Sequence, residues 1–292
     1  MFYSGYVAII GKPNVGKSTL LNNLLGVKLS AVTPKPQTTR HRILGILSGE
    51  NYQIIFLDTP GIFEPKYKLQ EVMVKTAFLS IQEAEVVFLM VEATDSLQET
   101  KEITKKLSKK EKPVFLLINK IDLVEKEKLL PLIDEYQKLF PFAEIIPISA
   151  LKNFGLDDLL KTLLKYLPEG SPYYPSEMLT NQPERFFVTE LVRQKIFEHY
   201  GEEVPYSTTV LIEEFRERAK NKNFIRAIIY VEKESQKGII IGAKGQKLKE
   251  IGELARKEIE EFLGRGVFLE LWVKVREKWR KNIKDLKEFG YL

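Results

Sequence analysis

Through about Tyr166 the chain alternates short apolar runs with longer stretches in which apolar residues return every three or four positions. A short apolar run bounded by polar turns reads as a buried strand, and the longer period reads as an amphipathic helix. The pattern predicts strands over 6–10, 43–48, 52–57, 86–91, 113–118 and 144–148, and helices over 17–25, 67–83, 97–110, 127–139 and 156–166. Strands that alternate with helices imply an α/β domain with a mostly parallel sheet wrapped by helices. Gly49-Glu50-Asn51 is too short for a parallel crossover, so 43–48 and 52–57 are expected to pair antiparallel and make the sheet mixed.

The rhythm breaks between Leu167 and Glu184, where Pro168, Pro172, Pro175 and Pro183 leave no room for a regular element. The expected division is a first domain over 1–167, a linker over 168–184 and a smaller α+β domain over 185–292. In the second domain a helix is predicted over 185–199 and strands over 204–214 and 224–232. An apolar turn, Ile239-Ile240-Ile241, then precedes the tight link Gly242-Ala243-Lys244-Gly245. Leu248, Ile251, Ala255, Ile259 and Phe262 follow at helical spacing, and Val267, Leu269, Leu271, Val273 and Val275 alternate as a half-buried strand. Residues 277–288 close the pattern as a basic last helix.

Composition narrows the class. At 292 residues the chain is long enough for two cores, and 44% hydrophobic with 29% charged residues is a globular balance. The longest obvious apolar run, 86–91, falls far short of the ~18 residues of a membrane span. The first residues carry neither a basic segment nor a long apolar core, so no signal peptide is expected. With no cysteine, disulfides and thiolate metal sites are excluded, and a cytoplasmic location is expected. The net charge of +5 permits an acidic partner, and its distribution sharpens that. Lys237, Lys244, Lys247 and Lys249 surround the glycine link with no acid among them, and a second basic cluster occupies 274–287.

The candidate chemistry begins at 11–18, which reads GKPNVGKS and matches G-x-x-x-x-G-K-[ST]. Glycines let backbone N–H groups crowd a polyphosphate, Lys17 reaches the β- and γ-phosphates, and the Ser18 hydroxyl is placed for Mg²⁺. A predicted strand precedes the loop and a helix follows it, the order in which a helix N-terminus attracts an anion. The candidate phosphate cradle is Gly11, Lys12, Pro13, Asn14, Val15, Gly16, Lys17, Ser18 and Thr19. Asp58-Thr59-Pro60-Gly61 directly follows a predicted strand. Asp58 can hold Mg²⁺ through water opposite Ser18, and the Gly61 N–H can meet a γ-phosphate.

Asn119-Lys120-Ile121-Asp122 closes another strand and suits guanine. Asp122 can accept from both the ring N–H and the exocyclic amine, a donor pair that adenine lacks, so GTP is preferred over ATP. Ser149 and Ala150, after the last strand of the domain, can offer a backbone N–H to the guanine oxygen. In the second domain, the apolar turn, the glycine link and the following helix form a K-homology (KH) pattern. Such a loop clamps single-stranded RNA backbone because its glycines admit phosphates closely and its lysine adds charge. The candidate RNA-binding residues are Ile241, Gly242, Ala243, Lys244, Gly245 and Lys247.

Taken in order, the nucleotide motifs resemble those of P-loop GTPases of the translation-factor-related group. The resemblance implies a six-stranded sheet with one antiparallel strand. The segment 33–40 resembles the first switch, whose threonine completes the Mg²⁺ shell; Thr39 is preferred, with Thr38 as the alternative. Ras-like enzymes carry a water-orienting Gln after D-x-x-G, whereas here that place is Ile62, which orients no water. Related enzymes hold K⁺ with the asparagine found here as Asn14, so K⁺ catalysis and a plain loop-forming role both stay open for that residue. Lys17, Asn14 and Thr39 are the candidate catalytic residues, with intrinsic turnover of about 10⁻⁴ to 10⁻² s⁻¹.

The helix, strand, strand, helix, helix, strand order of the second domain resembles the type II KH arrangement. The whole chain is therefore similar to the bacterial GTPases that carry a C-terminal KH domain. That likeness implies a monomer that binds single-stranded RNA near the 3′ end of 16S rRNA and assists small-subunit assembly. It also implies peripheral contact with the inner membrane surface, for which 274–287 is the candidate. An alternative keeps the GTPase but has the KH-like domain contact protein rather than RNA.

Overall fold

The computed structural model describes residues 1–292 apart from 108–111 and 219–221. Two compact units emerge, Met1–Glu64 with Met73–Asn181, and Pro65–Val72 with Gln182–Leu292.

In the first unit, β1 (Tyr3–Gly11), β3 (Tyr52–Asp58), β4 (Val86–Glu92), β5 (Val114–Asn119) and β6 (Glu144–Pro147) run parallel. The sheet order is β2-β3-β1-β4-β5-β6, with β2 (Ile43–Ser48) antiparallel to β3 through the short turn. The helices are α1 (Lys17–Leu25), α2 (Lys68–Glu83, of which 73–83 belong to this unit), α3 (Leu97–Leu107), α4 (Leu129–Leu139) and α5 (Leu156–Leu164). The end of the helix predicted over 97–110 lies outside the described residues. Helices on both faces bury the central strands: Val7, Ala8, Ile9 and Ile10 are all at 0% exposure. Because the five strands are parallel, the loops after β1, β3, β5 and β6 share one edge of the sheet, the edge where open α/β folds bind ligands.

The proline-rich segment 168–181 forms no helix or strand yet is ordered against this unit. Prolines remove donors, and the N–H groups that remain find partners: Tyr173 and Tyr174 donate to the buried Gln53 side chain at 2.7 and 2.9 Å. Leu179 offers its carbonyl to the Ile46 N–H of edge strand β2 at 2.8 Å.

The second unit carries α6 (Glu184–His199), β7 (Thr209–Arg216), β8 (Asn223–Val231), α7 (Glu234–Ile241), α8 (Gln246–Leu263) and β9 (Val267–Val275). Strand β8 pairs antiparallel with β7 and parallel with β9. Val192, Ile196, Ile225, Ala227, Ile251, Ala255 and Ile259 meet in the core between sheet and helices.

Three expectations change here. The strand predicted from 204 begins at Thr209, because Ser207 and Thr208 turn back to donate their hydroxyls to the Val204 carbonyl. The apolar turn at 239–241 is the last turn of α7, with Ile240 wholly buried. The basic helix over 277–288 is broken into a short turn, Trp279–Lys281, and α9 (Ile283–Glu288). Lys278 sits at φ 54, and Asn282 caps α9 by accepting from the Lys284 N–H. What fixes this segment is Trp279, fully buried and donating its indole N–H to the Ser207 carbonyl at 2.8 Å. Among the described residues no helix is long and apolar enough to cross a membrane.

Candidate functional site

The first unit holds a cleft of about 630 Å³ at the C-terminal edge of its sheet. Pro13, Asn14, Gly16, Lys17, Ser18 and Thr19 line one side of it, with Gly61 and the 31–39 loop beyond. Asn119, Lys120, Asp122, Ser149 and Ala150 line the other end. Thirteen of the candidate nucleotide residues therefore converge on one cleft, Thr39 included.

The loop 11–18 wraps because its glycines permit it. Gly11 and Gly16 have φ of 148 and 99, and a Cβ on Gly16 would lie 2.3 Å from the Asn119 amide nitrogen. Lys17 opens α1 with only 6% of its surface exposed, and its ammonium donates to the carbonyls of Gly11 and Lys12 at 3.3 and 2.7 Å. Burial pulls its pKa down to about 8, against the nearby Asp58 charge. Gly61 approaches the loop so closely that a Cβ would stand 2.7 Å from the Pro13 nitrogen.

Asp58 ends β3 fully buried. Its Oδ2 accepts from Ser18 at 2.7 Å and from Ser30 at 2.9 Å, while Oδ1 has no hydrogen-bond partner. Burial pushes this carboxyl up, and Lys17 and the two serine hydroxyls pull it back. Ser18 also lies 2.9 Å from the Thr39 hydroxyl. Since the single Ser18 proton goes to Asp58, Thr39 is the donor in that pair. Thr38, the alternative, spends its hydroxyl within the loop on the Lys35 carbonyl at 2.8 Å.

Several candidates act at one remove from the cleft. Lys12 turns away to Asp95 and Glu99 at 2.9 and 2.6 Å. Val15 is buried and gives its carbonyl to Asn119, whose amide oxygen in turn accepts from the Ala150 N–H at 2.9 Å. Asn119 thus braces the phosphate loop against the 149–151 loop. Thr59 donates to the Ile9 carbonyl at 2.8 Å. Pro60 is buried beside it, outside the cleft lining. Ile62 packs into the apolar core and donates its N–H to the Gly11 carbonyl at 2.9 Å, so its side chain is structural. Asn14, at φ 66, donates its side-chain amide to the Pro34 carbonyl at 2.8 Å.

In the second unit, Gly242, Lys244 and Gly245 take positive φ of 70, 49 and 78 within four residues. Ile241 ends the helix before this loop, and Ala243 and Lys244 form its tip. Lys247 folds back so that its stem packs over Gly242 and its ammonium lies 5.9 Å from the Tyr200 ring centre. Beside the loop runs a groove of about 420 Å³ lined by Leu248, Gly252, Arg256, Phe268 and Leu271, among others. Sequence reasoning gave Leu248 and Leu271 to the core and passed over Phe268, which is 58% exposed; its place opposite an apolar alternation on β9 was the available signal. Three basic residues of the second cluster are ion-paired: Arg276 with Asp285 and Glu288, Arg280 with Glu232, and Lys274 with Glu213.

A family profile described as "50S ribosome-binding GTPase" matches residues 6–120, and one described as "KH domain" matches residues 203–280. GTPase Era of Syntrophus aciditrophicus is 51% identical across all of this chain and 96% of its own length. GTPase Era of Geotalea uraniireducens is 51% identical over 99% of this chain and 98% of its own. A crystal structure of Era with MgGDPNP and nucleotides 1506–1542 of 16S ribosomal RNA superposes with a TM-score of 0.96 at 49% identity, covering 100% of this chain and 99% of that one. A variant of Aquifex aeolicus Era bound to GDP and AlF₄⁻ gives 0.95, also at 49% identity, covering 99% of each chain. The nucleotide cleft, the KH fold and these full-length likenesses have one common reading: the chain belongs to the Era family of GTPases.

Proposed function

We propose that this chain is a guanine-nucleotide switch that hydrolyses GTP and binds single-stranded RNA near the 3′ end of 16S rRNA while the small ribosomal subunit assembles. The observation that carries the reading is one chain holding both a braced guanine-nucleotide cleft and an intact glycine loop, at half identity to GTPase Era along its full length. The domain-level description names the large subunit, but full-length likeness outweighs a match to residues 6–120 alone, and the RNA bound by the 49%-identical Era belongs to the small subunit. Such a protein works in the cytoplasm, here as a monomer.

Asp122 faces the base, and the Ser149 and Ala150 backbone closes over it. Lys17 is the buried cation for the phosphates. Mg²⁺, when bound, would supply positive charge against the nucleotide phosphates. Ser18, Thr39 and Asp58 fit that ion: every donor is oxygen, as a hard cation requires, and the buried Asp58 Oδ1 lacks a partner within the protein. With Ile62 in the core, the position after D-x-x-G offers no side chain to orient water, so K⁺ held at Asn14 is a further source of catalytic charge in our reading. GTP turnover is expected to be several-fold faster in KCl than in NaCl at matched ionic strength; equal rates would leave Asn14 a loop former.

The switch itself is tested by RNA affinity in the two nucleotide states. A ligand shifts a conformational equilibrium only by its differential affinity for the two states. The GTP-analogue form should therefore bind a 3′-end 16S rRNA oligonucleotide with an affinity different from the GDP form. Identical affinities would reduce the chain to two tethered activities.

A further inference from the structure

Ser30 carries no motif, yet it is one of the most constrained side chains in the first unit. It is 1% exposed and donates its hydroxyl to Asp58 Oδ2 at 2.9 Å. It is held there by Asn22, whose amide oxygen accepts the N–H groups of both Leu29 and Ser30 at 2.9 Å. The Asn22 amide nitrogen donates to the Ser30 carbonyl at 2.9 Å, so both ends of the side chain grip one short segment. Asn22 lies four residues after Ser18 on α1, and an i, i+4 pair shares a helix face. One face of α1 thus presents both the Ser18 hydroxyl and the clamp on Ser30, and both serines meet the same carboxylate oxygen.

We propose that Ser30, set by Asn22, is a positioning residue for the Mg²⁺ carboxylate. Asp58 Oδ2 has two donors, and Ser18 is the one whose oxygen the metal requires. Ser18 can give an oxygen lone pair to Mg²⁺ and keep its proton on Asp58, but its position then answers to the ion; Ser30, held by Asn22, is the donor that fixes the rotation of the Asp58 side chain independently of the metal. Ser30 also roots the loop from which Ala31–Pro34 and Gln37–Thr39 line the cleft, so the same bond ties the base of that loop to the end of β3. The inference rests on the Mg²⁺–guanine nucleotide reading above. Wild-type chain that showed no Mg²⁺-dependent retention of GDP would remove that reading first.

The test is release of a fluorescent GDP from the full chain as Mg²⁺ is titrated, which needs no turnover. Losing one hydrogen bond to a charged group should raise the Mg²⁺ concentration for half-maximal retention about 10- to 150-fold in Ser30→Ala. Ser30→Thr, which keeps the hydroxyl, should return within about threefold of wild type on the same ground. Asn22→Asp keeps a side-chain acceptor but loses the donor to the Ser30 carbonyl, and should shift the midpoint in the same direction. Combined with Ser30→Ala it should add less than its separate effect, since the two act on one carboxylate. A wild-type midpoint in Ser30→Ala would overturn the proposal, as would a Thr variant no better than Ala. If Ser30→Ala retains no nucleotide at any Mg²⁺ concentration, the Asn22→Asp midpoint decides: shifted supports the positioning role, unshifted overturns it. A melting temperature lowered equally with and without Mg²⁺, at an unchanged midpoint, would make Ser30 merely structural.

Discussion

The nucleotide cleft and the loop at 242–245 both rely on glycines at positive φ, but the glycines meet different surroundings. At Gly16 an added methyl would strike the Asn119 amide, itself tied to Val15 and Ala150, so the backbone shape is locked by buried neighbours. At Gly245 nothing lies within 4 Å, and the conformation is set by the chain alone. The cleft is braced by buried polar groups bonded to one another, with Asp58 Oδ1 left without a partner. The loop at 242–245 is an exposed tip carrying a lysine at φ 49. The contrast teaches where specificity can reside: a braced site can discriminate one base from another, whereas an open basic tip suits a backbone common to all RNA.

The largest effect that would sharpen this contrast is Gly16→Ala. It should abolish GTP binding in titration calorimetry and lower the melting temperature, because Asn119 has no room to yield. Retained binding would show that the brace is soft. Next, Asp122→Asn should invert guanine over xanthine nucleotide preference by roughly 10²- to 10⁴-fold, the scale of a mismatched buried hydrogen-bonding site. Unchanged guanine selectivity would overturn the base assignment.

Titration with pH comes third. The ammonium of Lys17, lowered by burial to about 8, is the form that binds phosphate. GDP affinity should hold below pH 8 and then fall up to about tenfold per unit as free chain loses that proton. For folding the sign is opposite. Unfolded chain holds this proton up to 10.5, so the cost of burying the charge is present at neutral pH and is relieved between 8 and 10.5. The smallest effect is Lys244→Ala. RNA affinity should drop about 3- to 10-fold with a salt slope shallower by about 0.7, while GTP affinity and melting temperature stay put.

How much of this was legible in the sequence depended on distance along the chain. The phosphate loop, 58–62 and 119–122 are local words at the ends of parallel strands, and the hairpin between β2 and β3 follows from a turn too short for anything else. The brace made by Asn119 was not legible, since its partner Val15 is 104 residues away and a guanine-contact motif gives no hint of it. Nor was Ser30, which finds Asp58 across 28 residues with no spacing rule to announce it. The basic run after Trp272 invited an exposed helix because charge dominates its composition. One buried tryptophan outweighed the charges, since desolvating an indole ring contributes far more than solvated lysines cost. Lys12 illustrates the same lesson within a motif: its position was legible, but its partners Asp95 and Glu99 lie more than 80 residues away, in the turn after β4 and on α3.

The proline-rich strap has a practical consequence for dissecting the protein. Tyr174 and Met178 cover the apolar cluster of Leu44, Ile46, Ile55 and Leu57, and Leu179 occupies an outward N–H of β2. An isolated GTPase fragment ended at residue 167 would uncover that cluster and leave β2 as a bare template for strand addition between molecules. Ending the fragment at 181 keeps the cover in place. The longer fragment should stay dispersed at concentrations where the shorter one associates, which makes a stretch with no helix or strand of its own the colloidal guard of the sheet.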